Sequence, residues 1–140
     1  MKILIAADGS RYSKRMLAYL AAHDEWLGDR HQYTVLTAVM ALPSRAMTVL
    51  DKATVKGFYD EEAEKVFKPI RAFFARQGIG ASYVVKVGHA GETIAAQAEA
   101  GKFDLLLMGS HGHGNLANLV MGSVVAQVLA RCKTPLLLVR

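Results

Sequence analysis

Apolar residues are concentrated in five short runs along the chain. They cover residues 2–7, 33–39, 82–87, 103–108 and 135–139 and are rich in Val, Leu and Ile. Continuous apolar runs of this length are typical of strands buried on both faces, as in a parallel sheet. The pattern therefore predicts five buried strands.

Helical periodicity separates most of these runs. Four apolar faces recur at helical spacing: Met16, Leu17, Leu20 and Ala21; Ala63, Val66, Phe67, Ile70, Phe73 and Phe74, with a kink predicted at Pro69; Ile94, Ala95 and Ala98; and Val120, Val124, Val128 and Leu129. Gly28, Gly78 and Gly101 each follow a helical segment, where a left-handed cap residue is commonly needed.

Strands that alternate with helices require right-handed crossovers. The order predicts a three-layer α/β sandwich with a parallel sheet, formed by residues 1–140 as one domain. Residues 40–57 make an unusually long connector between the second strand and the second helix. Connectors of that length are often lids, binding loops or mobile segments.

Composition narrows the class of protein. Apolar residues make up 52% of the chain and charged residues 21%. Disordered chains are poorer in apolar residues and richer in charge, so this composition excludes a disordered protein. The first apolar run is too short for a secretory signal, and no run reaches membrane-spanning length, so we expect a cytoplasmic protein without membrane insertion. Cys132 is the only cysteine, which excludes an internal disulfide and favours a buried small residue.

The net charge of +5 is scattered along the chain. Its densest group, Arg11, Lys14 and Arg15, covers one helical turn. We interpret this group as a solvated helix face without aromatic residues arranged for base stacking. The charge pattern therefore predicts no nucleic-acid partner.

Two loops at predicted strand ends have the chemistry of a ligand site. In open parallel sheets, ligands bind beyond the carboxyl ends of the strands, where the strand order reverses. The first loop contains Asp8, Gly9 and Ser10, of which Asp8 or Ser10 could instead simply cap the first helix. The second loop, MGSHGHGNLANLVMGS, spans residues 108–123.

The glycines of the second loop favour phosphate binding. Gly109, Gly112 and Gly114 let backbone amides approach an anion, and the Gly122–Ser123 pair offers amides and a hydroxyl where the fourth helix begins. A P-loop is excluded because no lysine lies between residues 102 and 133. The GHGNLA stretch at 112–117 formally matches a dinucleotide fingerprint, but it follows the fourth strand and lacks the acidic residue about twenty positions later.

The remaining spacing is Gly109, two residues, Gly112, nine residues, and Gly122–Ser123. With it, the sequence resembles the ATP-binding branch of the universal stress protein family, whose signature is G-x2-G-x9-G-[ST]. The likeness covers the whole chain, from ILIAADGS through LLLMGSHGHG and MGSVVAQVL to TPLLLVR. It implies an adenine nucleotide alpha hydrolase-like, Rossmann-like fold with a five-stranded parallel sheet of order 3-2-1-4-5.

The resemblance also implies the ligand and its contacts. ATP is expected, with AMP or ADP as alternatives, together with Mg²⁺ or Mn²⁺ bridging the phosphates. Asp8 would hydrogen-bond adenine or ribose, and Val39 would pack on the base. The full set of implied binding residues is Ala7, Asp8, Val39, Met108, Gly109, Ser110, His111, Gly112, Gly122, Ser123 and Val124.

The sequence departs from the family pattern at three positions. Asn115 stands where glycine is common, Asn118 lies near a position that is often basic, and Ala90 replaces a frequent proline. His111 and His113 could form a metal pair, but no cysteine or acid accompanies them in sequence, so contact with phosphate or solvent is favoured.

The loop offers no lysine or arginine to clamp a transferred phosphoryl group. We therefore expect a stress-response protein that binds ATP with negligible hydrolysis and is not an enzyme. The alternative is a nucleotide-independent interaction module of the same fold, which the intact glycine signature disfavours. The apolar last strand, 135–139, is an unprotected edge, and the resemblance implies that it pairs with its copy in a homodimer.

Overall fold

The computed structural model describes residues 1–114, 118 and 120–140. Strands and helices alternate along the chain, with one extra helix before the longest one. The elements in order are β1 (Lys2–Ala6), α1 (Arg11–Ala21), β2 (Gln32–Val39), α2 (Ser44–Val49), α3 (Lys52–Arg76), β3 (Ala81–Val87), α4 (Ala90–Ala100), β4 (Leu105–Gly109), α5 (Ser123–Arg131) and β5 (Leu136–Val139).

The five strands form one parallel sheet of order β3-β2-β1-β4-β5, which confirms the predicted fold class and topology. Ile3 of β1 pairs with Tyr33 of β2 on one side and with Leu105 of β4 on the other. The chain runs outward from β1 to β3 and then returns to β4. The strand order therefore reverses between β1 and β4, which fixes where a ligand crevice can open.

Helices cover both faces of the sheet. On one face, α1 and α3 pack on alternate strand residues such as Ile3, Ile5 and Val35, all fully buried. On the other face, α4 and α5 pack on the intervening residues, including Leu4 and Leu106. Every second side chain of a strand points to the same face, so each buried strand contributes to both cores.

Burial on both faces holds for the central strands and not for the edges. Residues of β1 after Lys2 and the first four of β4 are buried, whereas every residue of β3 and β5 is at least partly exposed. The prediction of fully buried strands at 82–87 and 135–139 is therefore wrong. An edge strand has a neighbour on one side only, so solvent reaches its side chains.

The long connector is partly helical. Residues 40–57 contain α2, which has no buried residue, and the first residues of α3. Asp51 caps α3, because its carboxylate accepts a hydrogen bond of 2.7 Å from the amide of Thr54. Pro69 lies inside α3, which continues to Arg76. The connector is thus partly helical, and the expectation that it is a lid, a binding loop or a mobile segment stays a prediction.

Two of the predicted apolar helix faces need correction. Val120 is 82% exposed because α5 begins at Ser123, and Leu129 is 52% exposed. The residues of α5 that enter the core are Val125 and Val128. In α1, Ala21 is the exposed last residue, while Tyr12 and Ser13 are buried at the beginning.

The predicted glycine caps differ from one another. Gly78 adopts a positive φ of 67° after α3, as expected for a left-handed cap. Gly101 has a φ of −78°, and the left-handed residue there is Lys102, with a φ of 50°. Gly28 lies well beyond the end of α1 at Ala21.

Cys132 is half-buried at the edge of the core formed by α4 and α5, rather than fully enclosed. It follows directly after α5, where its Sγ accepts a hydrogen bond of 3.4 Å from the amide of Thr134. None of the helices in the described parts of the chain has the length and apolar character needed to cross a membrane.

Candidate functional site

A cavity of about 290 Å³ opens at the carboxyl ends of β1 and β4, beside the first turn of α5. This is the position at which the strand order reverses. Its walls come from the loops after β1 and β4 and from helices α4 and α5. The lining residues are Ala6, Ala7, Asp8, Ser13, Leu36, Ala38, Ala90, Ile94, Met108, Gly109, His111, Gly112, His113, Gly114, Gly122, Ser123, Val124 and Val125.

One end of the cavity is apolar. The cavity exists there because the side chains around it are small: Ala6 of β1, Ala38 of β2 and Ala90 in the first turn of α4. Larger buried side chains form its floor and walls: Leu36, Ile94, Met108 and Val125. Such a slot suits a flat, weakly polar ring, because a ring would displace water from both of its faces.

Asp8 stands at the boundary between this apolar end and the glycine loop. Its Oδ1 accepts hydrogen bonds of 2.9 Å from the amide of Ser10 and 2.9 Å from the hydroxyl of Ser13. Its Oδ2 faces Gly112, where an added Cβ would lie only 2.8 Å away. The first oxygen therefore fixes the carboxylate, while the second borders the cavity.

Ser10 and Asp8 have separate roles at the start of α1. Ser10 is the N-cap residue, and its hydroxyl accepts from the amide of Ser13 at 3.4 Å. Gly9 takes a φ of 76°, a conformation that favours glycine. Because Ser10 caps the helix, Asp8 is left to shape the loop and the cavity.

The signature glycines are sites of close packing. An added Cβ at Gly109 would lie 2.6 Å from the Cβ of Tyr12, and one at Gly122 would lie 3.1 Å from the carbonyl oxygen of Ser110. Any side chain at Gly109 or Gly122 would push the loop away from its neighbours. The glycine spacing thus lets three segments, the loops after β1 and β4 and the start of α5, converge on one cavity.

Helix α5 points its N-terminus at this cavity. Gly122 is its N-cap, with extended backbone, and no side chain from the described residues caps the helix. The amide of Gly122 donates to the carbonyl oxygen of Ser110 at 2.8 Å. Ser123 and Val124, the first residues of the helix, line the cavity, where first-turn amides and the helix dipole favour an anion.

Both loop histidines bond within the protein. His113 Nε2 lies 2.6 Å from the carbonyl oxygen of Asp8 and donates to it, which ties the glycine loop to the loop after β1. His111 Nδ1 lies 2.9 Å from the Ser110 hydroxyl. Within the described residues, no group of three or more His, Cys, Asp or Glu could hold a metal ion.

Nine of the eleven predicted site residues line the cavity, and Val39 and Ser110 do not. Val39 is 9% exposed and packs in the core formed by α1 and α3. Side chains alternate along a strand, so its neighbour Ala38 faces the cavity instead. Ser110 is 1% exposed and lies behind the cavity wall, where its hydroxyl contacts His111.

Sequence reasoning missed several lining residues. Four of them lie on the strand and the two helices beside the crevice: Leu36 and Ala38 on β2, Ile94 on α4 and Val125 on α5. Only the alternation of side chains along β2 could have indicated Leu36 and Ala38. Of the three family departures, Ala90 lines the cavity and Asn118 lies in an exposed turn. Asn115, and with it the 115–117 part of the GHGNLA stretch, lies outside the described residues.

The basic turn of α1 is exposed, as its sequence interpretation predicts, and two of its arginines also pack on an aromatic ring. The guanidinium carbons of Arg11 and Arg15 lie 5.0 Å and 5.5 Å from the centre of the Tyr12 ring. Arg11 Nη2 donates to the Tyr12 hydroxyl at 3.0 Å. Tyr12 is 8% exposed and packs against Gly109 and His111, so the arginines cover its ring and the ring is not open to base stacking.

The clearest perturbed pKa values belong to residues outside the cavity. Burial raises the pKa of the Tyr33 and Tyr83 hydroxyls. The amide of Lys133 lowers the pKa of Glu99, whose carboxylate it contacts at 2.6 Å. These groups hold the fold together and take no part in the cavity.

Comparison with known proteins gives consistent matches. A model described as the universal stress protein family matches residues 1–140. Universal stress protein Slr1230 of Synechocystis is 33% identical over 139 residues, 99% of this chain and 42% of its own length. Universal stress protein MJ0577 of Methanocaldococcus jannaschii is 31% identical over 86 residues, 61% of this chain and 53% of its own length. The match thus spans about half the length of these two relatives.

Solved structures share the fold. The structure of MJ0577 matches with a TM-score of 0.77 at 22% identity, covering 99% of this chain and 94% of its own. A universal stress protein in complex with cAMP gives 0.70 at 22% identity, covering 100% and 97%. A universal stress protein family protein from Arabidopsis thaliana with AMP bound gives 0.70 at 12%, covering 99% and 90%. The family model that covers residues 1–140 and the 33% identity along 99% of the chain show that this chain belongs to the universal stress protein family.

Proposed function

We propose that the cavity binds an adenine nucleotide, with ATP as the preferred ligand. We also propose that the protein acts through the presence or absence of the bound nucleotide and not through its hydrolysis. The observation that carries this proposal is the two-ended cavity at the β1–β4 reversal. An apolar slot lies at one end, the uncapped start of α5 lies at the other, and Asp8 stands between them. Base, sugar and phosphates of a nucleotide require this order of environments.

At the base end, adenine would lie among Ala38, Ile94 and Met108. Asp8 Oδ2 would accept a hydrogen bond from a ribose hydroxyl, because Ser10 and Ser13 already hold Oδ1. The cavity volume of about 290 Å³ is close to the lower end of ligand pockets, roughly 300 Å³. With the base and sugar in that space, the phosphates would extend along the glycine loop.

At the phosphate end, the first amides of α5 and the Ser123 hydroxyl would donate to phosphate oxygens. Mg²⁺ or Mn²⁺ would arrive with the phosphates, since the described residues include no carboxylate or histidine cluster to hold it. When bound, the ion neutralises phosphate charge. Neighbours of the same fold that hold cAMP or AMP support an adenine ligand.

We expect negligible hydrolysis. Phosphoryl transfer needs a positioned nucleophile and a cation that stabilises the transferred group. The described lining residues include no lysine or arginine. The absence of such a clamp supports a regulatory role, in which the ligand changes the shape or the partner choice of the protein.

Calorimetric titration with AMP, ADP and ATP, each with and without Mg²⁺, tests the proposal. Gly122→Val places a side chain against Ser110 and should abolish binding. Gly57→Ala is the matched control, because Gly57 is exposed on α3 and an added Cβ meets nothing within 4 Å. If folded wild-type protein binds none of the three ligands, a nucleotide-independent interaction module is the better description.

We also propose that β5 pairs with its copy in a homodimer. The carbonyl of Val139 accepts from the amide of Ser110, directly after β4, so the amides of Leu136 and Leu138 point to the open edge. Leu138→Pro would remove one outward amide, whereas Leu138→Ala truncates the side chain and keeps the amide. Light scattering should show a dimer that only the proline variant loses. A wild-type monomer at micromolar concentration contradicts this proposal.

A further inference from the structure

Two arginines on α1 hold their charges on an aromatic ring that contacts the cavity wall at His111. Arg11 and Arg15 both stack on Tyr12, with guanidinium carbons 5.0 Å and 5.5 Å from the ring centre. Arg11 also donates to the Tyr12 hydroxyl at 3.0 Å. Tyr12 is 8% exposed, so it gives both flexible side chains a fixed platform.

That platform adjoins the wall of the cavity. The Tyr12 ring lies 5.0 Å from the ring of His111, which lines the cavity, and the Tyr12 Cβ fills the space beside Gly109. These contacts keep the His111 ring within about 10 Å of either guanidinium carbon, which is close to the Debye length of about 10 Å at 0.1 M salt and well inside the length of about 30 Å at 0.01 M. The field of the guanidinium groups therefore reaches the glycine loop.

The two charges are not neutralised locally. Among the described residues, no salt bridge joins Arg11 or Arg15 to an acid. The glycine loop itself, residues 108–123, has no lysine or arginine. A phosphate chain that leaves the cavity past His111 would pass the Tyr12 ring, on which the charges of Arg11 and Arg15 lie.

We infer that Arg11 and Arg15 set the preference of the site for the number of phosphates, favouring ATP over AMP. This inference rests on the proposed adenine-nucleotide site. The phosphate of AMP is held by the start of α5, and the outer phosphates of ATP extend toward the arginines. Exposed charges contribute modestly, so each arginine should change ATP affinity by about threefold, and salt should weaken the effect.

The test measures dissociation constants for AMP, ADP and ATP on Arg11→Gln, Arg15→Gln and the double variant. Lys14→Gln is the control, because Lys14 is exposed on the same helix, carries the same charge and makes no cation–π contact with Tyr12 among the described residues. The ATP constant should rise about threefold per arginine removed and the AMP constant less than twofold, at low salt. Lys14→Gln should leave the ATP-to-AMP ratio unchanged. Arg11→Lys should restore part of the ratio, since it keeps the charge.

Four outcomes overturn the inference. An unchanged ATP-to-AMP ratio in the double variant removes the role of the arginines while the nucleotide site stands. An equal loss for all three ligands shows that the arginines only support the packing of Tyr12. An equal effect of Lys14→Gln shows a dependence on net charge alone. If the wild type binds no nucleotide, the proposed function fails, and the inference fails with it.

Discussion

The Ser13 hydroxyl makes two hydrogen bonds to a single residue, Asp8. It accepts from the Asp8 amide at 3.1 Å and donates to the Asp8 Oδ1 at 2.9 Å. One hydroxyl can satisfy both contacts, because it has one proton to give and lone pairs to accept. Ser13 is 5% exposed, so this clamp lies beneath the candidate site and sets the orientation of its carboxylate.

Ser13→Ala should lower stability and nucleotide affinity together. The substitution leaves the Asp8 amide without its acceptor and frees the carboxylate to rotate, which should cost about 1–2 kcal/mol of unfolding free energy. Denaturant unfolding and calorimetry with AMP would measure the two effects. Ser82→Ala on the exposed part of β3 is the control and should change neither. Full affinity in the Ser13 variant would show that the clamp does not serve the site.

Asp8→Asn should reduce the affinity for adenosine as well as for AMP and ATP. The amide keeps one oxygen for Ser10 and Ser13 but replaces the acceptor that faces Gly112 with a donor. The loss of a charged hydrogen bond corresponds to a roughly tenfold to hundredfold weaker binding constant. Titration with adenosine, AMP and ATP checks this expectation, and equal losses for all three ligands are expected. A loss for ATP alone would move Asp8 to the phosphate end.

Ala38→Leu and Val39→Ala should show which of the two residues belongs to the cavity and which to the core. Ala38 lines the apolar end of the cavity, so leucine there should weaken AMP and ATP binding alike and leave melting little changed. Val39 packs under α3, so alanine should lower stability by about 1–3 kcal/mol and leave affinity little changed. Melting curves and titrations distinguish the pair. If Val39→Ala weakens binding and Ala38→Leu does not, Val39 is the residue that contacts the base.

Two helical glycines should respond to alanine with opposite signs. Gly57→Ala in the exposed part of α3 should raise stability by about 0.5–1 kcal/mol, because alanine loses less entropy in a helix. Gly91→Ala should lower it by about 1–3 kcal/mol, because the new Cβ would lie 2.6 Å from the Cβ of Gln127 on α5. Chemical denaturation of both variants measures the difference. A neutral Gly91 variant would show that α4 and α5 can separate without cost.

Glu99 should make the unfolding free energy depend on pH in the acid range. The Lys133 amide lowers the pKa of Glu99, so the ionised carboxylate stabilises the folded chain above the ordinary value of 4.5. That contribution disappears as the pH falls through the lowered pKa. Glu99→Gln should therefore melt below the wild type at neutral pH and together with it in stronger acid. A constant difference across the pH range would exclude this linkage.

Much of the fold could be predicted from short-range pattern, because buried parallel strands and amphipathic helices have distinct spacings. The side chains of the site were harder to predict. In the run TVLTAV of β2, both faces are buried, so polarity does not say whether Ala38 or Val39 faces the ligand. The platform on Tyr12 depends on side-chain rotamers. Helix α2 has no buried residue and so has no apolar face to detect.

Ser110 joins two places that were described separately. Its amide donates to the carbonyl of Val139 at the open sheet edge, and its carbonyl accepts from the Gly122 amide at the start of α5. A single peptide segment is thus anchored both to the last strand and to the helix that faces the phosphate end. A displacement of β5 along its axis would strain the first of these hydrogen bonds and, through Ser110, the second. The edge strand is therefore linked to the start of α5 by two consecutive backbone hydrogen bonds.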